Sequence, residues 1–188
     1  MMIKKVVLIL SFLVLLTNYT IEAKKTVHPE EPVLITPVGQ NPDGLMVKVV
    51  LSKIGIKNDY LELASGEDLN NNYHSVVMSV GVSYKGLGAI GINYHDEVDR
   101  ARKLVGEALK KDCPIILIDF DENPGREKRT NQLIKIIAPH SAYIISKAAG
   151  GKDKYFAAIA HDHKIPLIIV GDLAQLENIF KDIYCEKK

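Results

Sequence analysis

Tryptophan is absent, cysteine occurs only twice, and aromatic residues make up 6% of the 188 positions. Two cysteines cannot build a disulfide scaffold or a four-cysteine zinc site. Excess charge is also missing, since 24 Lys and Arg stand against 23 Asp and Glu, for a formal charge of +1. That balance removes the electrostatic case for a nucleic-acid binder. No apolar run reaches the roughly 20 residues of a membrane-spanning helix. The longest, residues 6–16 (VVLILSFLVLL), would span about 16 Å as helix, half of a ~30 Å hydrocarbon core. What remains is 47% hydrophobic and 25% charged, the make-up of an ordinary globular domain, neither disordered nor a coiled coil.

The apolar run follows Lys4 and Lys5 and gives way to a more polar stretch ending at Ala23. This is the layout of a secretory signal, removed by cleavage, and predicts export to the periplasm or the cell exterior. A buried N-terminal helix is the competing reading, but the run has no polar face to turn outward. No Cys follows it to accept a lipid. Residues 1–23 are therefore read as signal peptide, 24–32 as a flexible leader and 33–188 as one domain. Cleavage also removes Lys4, Lys5 and Glu22, which leaves a neutral mature chain. Export makes nucleotide cofactors poor candidates, and none is expected. It also permits a disulfide, and Cys113 and Cys185 both fall near one edge of the expected sheet, so a bridge is feasible beside the alternative of two free thiols.

Along the mature chain, short aliphatic runs alternate with amphipathic stretches. Strands are expected at 33–38, 60–64, 75–82, 114–120, 142–146 and 166–170. Helices are expected from Asn41-Pro42-Asp43 to about Ile54, over 96–111, from Arg129 to Pro139, and over 152–163 and 172–184. Asn suits an N-cap, Pro fits a first helical turn and Gly55 marks a stop. Residues 83–94 are expected as a glycine-bearing loop. Five to six strands with intervening helices predict a single three-layer α/β domain, doubly wound on a mainly parallel sheet of the flavodoxin or Rossmann kind.

In such folds ligands bind beyond the carboxyl ends of the strands. The loops at that edge supply the candidate ligand-binding residues. Gly39, Gln40, Asn41 and Asp43 would form one wall, and Ser83, Lys85, Gly86 and Gly88 the floor. Asp119, Arg126, Lys147 and Gly151 would close the other side. Loop amides, helix N-termini and cations favour an anionic or zwitterionic small molecule. Each candidate also has a plain reading, as a turn glycine or a solvated charge.

Three sharper motifs are weak. Gly86-Leu87-Gly88-Ala89-Ile90-Gly91 spells G-x-G-x-x-G, but follows the third strand rather than opening the first βαβ unit. Gly81-Val82-Ser83-Tyr84-Lys85 falls one residue short of a G-x-S-x-G elbow, and no His follows the last strand. His161 and His163 are two apart, so a helix turns them to different sides and no metal is expected. The favoured function is non-catalytic binding of a small ligand, with no nucleic acid, no stable membrane span and the oligomeric state open. The alternatives are an extracytoplasmic hydrolase using Ser83, or a protein-interaction adaptor.

The mature chain resembles a family of bacterial exported α/β domains whose function is unknown. The resemblance runs from about Pro32 to Tyr184 through Gly39-Gln40-Asn41-Pro42-Asp43-Gly44 and Ser83-Tyr84-Lys85-Gly86-Leu87-Gly88-Ala89, with weaker support from Gly150-Gly151-Lys152-Asp153 and Ile165-Pro166-Leu167. Where members of that family carry Gly-Asn, this chain has Gly151-Lys152. The resemblance implies the fold but no activity and no catalytic residues.

Overall fold

The computed structural model describes residues 28–69, 72–121, 128–147 and 152–185. In chain order the elements are β1 (Val33–Val38), α1 (Asp43–Lys53), β2 (Asn58–Tyr60), β3 (Ser75–Val80), α2 (Tyr84–Ala89), α3 (Tyr94–Lys110), β4 (Ile115–Asp119), α4 (Lys128–Ile137), β5 (Tyr143–Lys147), α5 (Lys152–His163), β6 (Leu167–Val170) and α6 (Leu176–Cys185). All six strands join one parallel sheet in the order β2-β1-β3-β4-β5-β6.

Aliphatic strands buried on both faces make this architecture. Successive side chains of a strand leave on opposite sides. Val76 and Met78 therefore share one face with Leu34 and Leu117, packed with Leu104 of α3, Leu133 of α4 and Phe156 of α5. Val77 turns the other way, to Ile35, Ile116, Val47 and Leu51 of α1 and Phe180 of α6. The result is the expected three-layer doubly wound domain. No described helix is long and apolar enough to cross a membrane.

Two local expectations change. β2 lies at Asn58–Tyr60 instead of 60–64, because register with β1 (Val33↔Asn58, Ile35↔Tyr60) selects those residues over the more apolar run behind them. Residues 83–94 hold a helix, α2, where a loop was expected. Ser83 caps it, its Oγ accepting from Gly86 N–H at 3.1 Å. Residues 30–32, just ahead of β1, are tied to the sheet and the turns beside it. Glu30 O accepts from Ser75 Oγ, Glu31 Oε2 from Lys57 N–H and Pro32 O from His74 N–H.

Candidate functional site

The strand order reverses between β1 and β3, the place in such sheets where ligands bind beyond the strand ends. After Val38 the chain turns through Gly39 (φ 94°) and Gln40 (φ 65°). Gly39 is needed twice over, because a Cβ there would sit 2.4 Å from Gly81 O. Its carbonyl accepts from Ser83 N–H at 2.7 Å, which ties the first loop to the third. Asn41 Oδ1 accepts from Ser79 Oγ (2.8 Å) and Asp43 N–H (3.0 Å), and Nδ2 donates to Ser79 O (3.2 Å). Its amide is thus committed to holding the loop on β3. Gln40 Nε2 donates outward to Glu62 O at 3.0 Å.

Beneath this loop lies a buried ion pair that motif reading missed. Glu97 is fully buried and receives Arg100 Nε on Oε2 and Nη2 on Oε1, both at 2.7 Å. Glu97 Oε1 also accepts from Gly39 N–H at 2.6 Å. Arg100 reaches Pro37 O (2.6 Å), Ala64 O (2.8 Å) and Thr36 Oγ1 (3.3 Å). A buried charge is tolerated when paired and hydrogen-bonded in this way. The signal was present in the spacing, since Glu97 shares a helical stripe with the buried Ala101, Leu104 and Ala108.

Ser83, Gly86 and Gln40 come together: a Cβ on Gly86 would lie 2.5 Å from Gln40 O. Lys85 and Gly88 are exposed on α2. Arg129 of α4 sits 5.3 Å from the Tyr84 ring centroid and 4.9 Å from that of Tyr94, and its Nη1 donates to Tyr84 Oη at 2.9 Å. Tyr94 Oη donates to Arg129 O at 3.0 Å. This stack binds α2, α3 and α4 together over the edge.

A second group gathers Asp43, Asp119, Asp121 and Lys147. Burial, then the charges of Asp119 and Asp121, push the Asp43 carboxyl above its usual range, while Lys147 acts the other way. Asp119 is buried at the end of β4, and its Oδ1 accepts from Asp121 N–H at 3.1 Å. Of the remaining expected site residues, Arg126 and Gly151 lie outside the described residues.

Among the described residues Ser83 Oγ accepts from Gly86 N–H, and no hydrogen bond joins it to a His or a carboxylate. His95 is exposed on α3 and pairs with Asp99 at 3.7 Å. His74, His140, His161 and His163 lie at the amino ends of β3, β5 and β6, on the opposite edge. Among the described residues no His, Cys, Asp or Glu side chains group to hold a metal ion. Cys113 and Cys185 are free thiols rather than a bridge, one buried and one exposed. The burial of Cys113 pushes its thiol up to about 11, with Lys111 opposing. Exposed Leu45 and Val49, one turn apart on α1, are the apolar surface an adaptor reading would call on.

Among solved structures similar at a low level are a lipase and an esterase. A GDSL-like lipase from Bacteroides thetaiotaomicron has a TM-score of 0.35 and 12% identity over 73% of this chain and 66% of its own, so the chain spans just under two thirds of the lipase's length. The psychrotrophic esterase EstA from a Pseudoalteromonas species has a TM-score of 0.34 and 12% identity over 79% of this chain and 80% of its own. Likeness at that level carries no argument about chemistry. No curated protein matches the sequence. Residues 30–184 match a domain of unknown function, DUF6305, and the chain belongs to that family.

Proposed function

We propose that the chain is an exported binding module that holds a small amine-bearing molecule, zwitterionic or cationic, over the carboxyl ends of β1, β3, β4 and β5. The observation that carries this reading is the cluster at the ends of β4 and β5, where Asp119 is in register with Ser146, next to Lys147, and its Oδ1 accepts from Asp121 N–H at 3.1 Å, with the charges of all three bearing on Asp43 at the start of α1. Within that cluster three carboxylates face Lys147 alone, which favours an ammonium group over a simple anion, and Lys147 suits the carboxylate of a zwitterion. Gly39, Gln40, Asn41, Ser83 and Gly86 form the scaffold of the wall, with Lys85 and Gly88 at its rim. Ser83 caps α2 in this reading and attacks nothing.

The test is a thermal-shift series with amino acids and polyamines against small carboxylates and phosphates, on wild type and Asp43→Asn. Amine-bearing compounds should stabilise wild type, and the variant should lose about 1.5–3 kcal/mol of binding, the scale of a charged hydrogen bond. Attraction needs the ionised carboxylate, so binding should fade as pH drops toward the raised Asp43 pKa, earlier than for an ordinary Asp. The fold has the opposite sign. A carboxyl whose folded pKa is raised is least tolerated when ionised, so wild-type stability relative to Asp43→Asn should grow as pH falls through that window. Stabilisation by anions alone, or equal stabilisation of both proteins, would overturn the reading. Labelling of Ser83 by a serine-directed phosphonate would restore the hydrolase. Export predicts a mature mass that begins at Lys24.

A further inference from the structure

The two outer strands of the sheet are built differently. β2 is three residues long and carries the exposed Asp59, whose Oδ2 accepts from Tyr73 Oη at 3.0 Å. Short, charged edges resist pairing with other chains. β6 is Leu-Ile-Ile-Val, with no charge inside the strand and Ile169 38% exposed. Its hydrogen-bonding phase follows from the ladder. Ile144 N–H donates to Pro166 O at 3.0 Å, with Ile144 in register with Leu167 and Ser146 with Ile169. In a parallel pair this turns the main-chain groups of Ile168 and Val170 toward β5 and those of Leu167 and Ile169 away from it. Among the described residues no strand meets those outward groups.

We propose that a second copy of this chain meets them, by antiparallel β6–β6 pairing about a twofold axis at Ile168. In that register Leu167 faces Ile169 of the other copy as a hydrogen-bonded pair, and symmetry repeats the pair. All the outward N–H and C=O groups of both residues are then used. A slip of one residue would set outward groups against inward ones, so the parity is fixed. Charge favours this pairing. The same axis sets the segment before β6, with the exposed Lys164, beside the segment after β6 of the other copy, with the exposed Asp172. It also sets Pro166 opposite Val170, a position that asks for no N–H from proline. The merged sheet would end on both sides in the guarded strand β2.

Light scattering and sedimentation equilibrium on the purified chain test this independently of any ligand. Wild type should be a dimer at micromolar concentration. Ile169→Pro removes an N–H that β5 does not use, so the variant should keep its circular dichroism and dissociate at least tenfold more readily. Ile169→Lys, at an exposed position, guards against a folding failure of the proline variant. Lys164→Glu should weaken the dimer as well, by bringing like charge near Asp172 of the other copy. A wild type that stays monomeric, or a dimer that both Ile169 variants leave unchanged, overturns the proposal.

Discussion

Two glycines of α2, Gly86 and Gly88, meet opposite surroundings. A methyl group on Gly86 would strike Gln40 O, whereas nothing lies within 4 Å of one on Gly88. Gly86→Ala should therefore destabilise the fold by about 1–3 kcal/mol through overpacking. Gly88→Ala should stabilise it by up to about 1 kcal/mol through helix propensity. Urea denaturation of the two variants checks both signs. The G-x-G-x-x-G pattern made these residues look alike because a string records spacing along the chain. What separates them is the backbone of the first loop, brought in by the sheet. Asn41 teaches the same lesson, since its type suggested a ligand contact and its environment turned it onto Ser79.

At the scale of elements, periodicity was enough wherever burial was strong. β1 stands at the expected residues, Val33–Val38, all of them buried. The weak element, β2, was misplaced because Asn-Asp-Tyr has little strand character of its own and is recruited by β1. The apolar residues behind it form a turn instead, and there the buried Ala64 gives its carbonyl to Arg100. That arginine makes α3 the brace of the site. Arg100→Ala would strand Glu97 as an unpaired buried charge, and should cost about 3–5 kcal/mol. Replacing both residues together, as Glu97→Leu with Arg100→Met, should cost less than Arg100→Ala alone. A double-mutant cycle by chemical denaturation measures the difference.

For the whole molecule, Cys113 is a reporter of opening. At pH 8 an alkylating reagent should modify the exposed Cys185 quickly, whereas Cys113, buried and held at about 11, should react only as the fold opens. In Cys185→Ser protein the labelling rate should rise with denaturant in step with global unfolding; fast native-state labelling would contradict the burial. Sheet order could not be read from the string, because the reversal at β1 depends on which side of it each crossover lands. That order has a consequence for assembly. β2 and β3 take the two sides of β1, and β4, β5 and β6 each add beside the strand before them. No strand has to be inserted between two already joined. A chain folding from its amino end can therefore lay down each strand on a finished template, with the closing of each crossover as the recurring entropic cost.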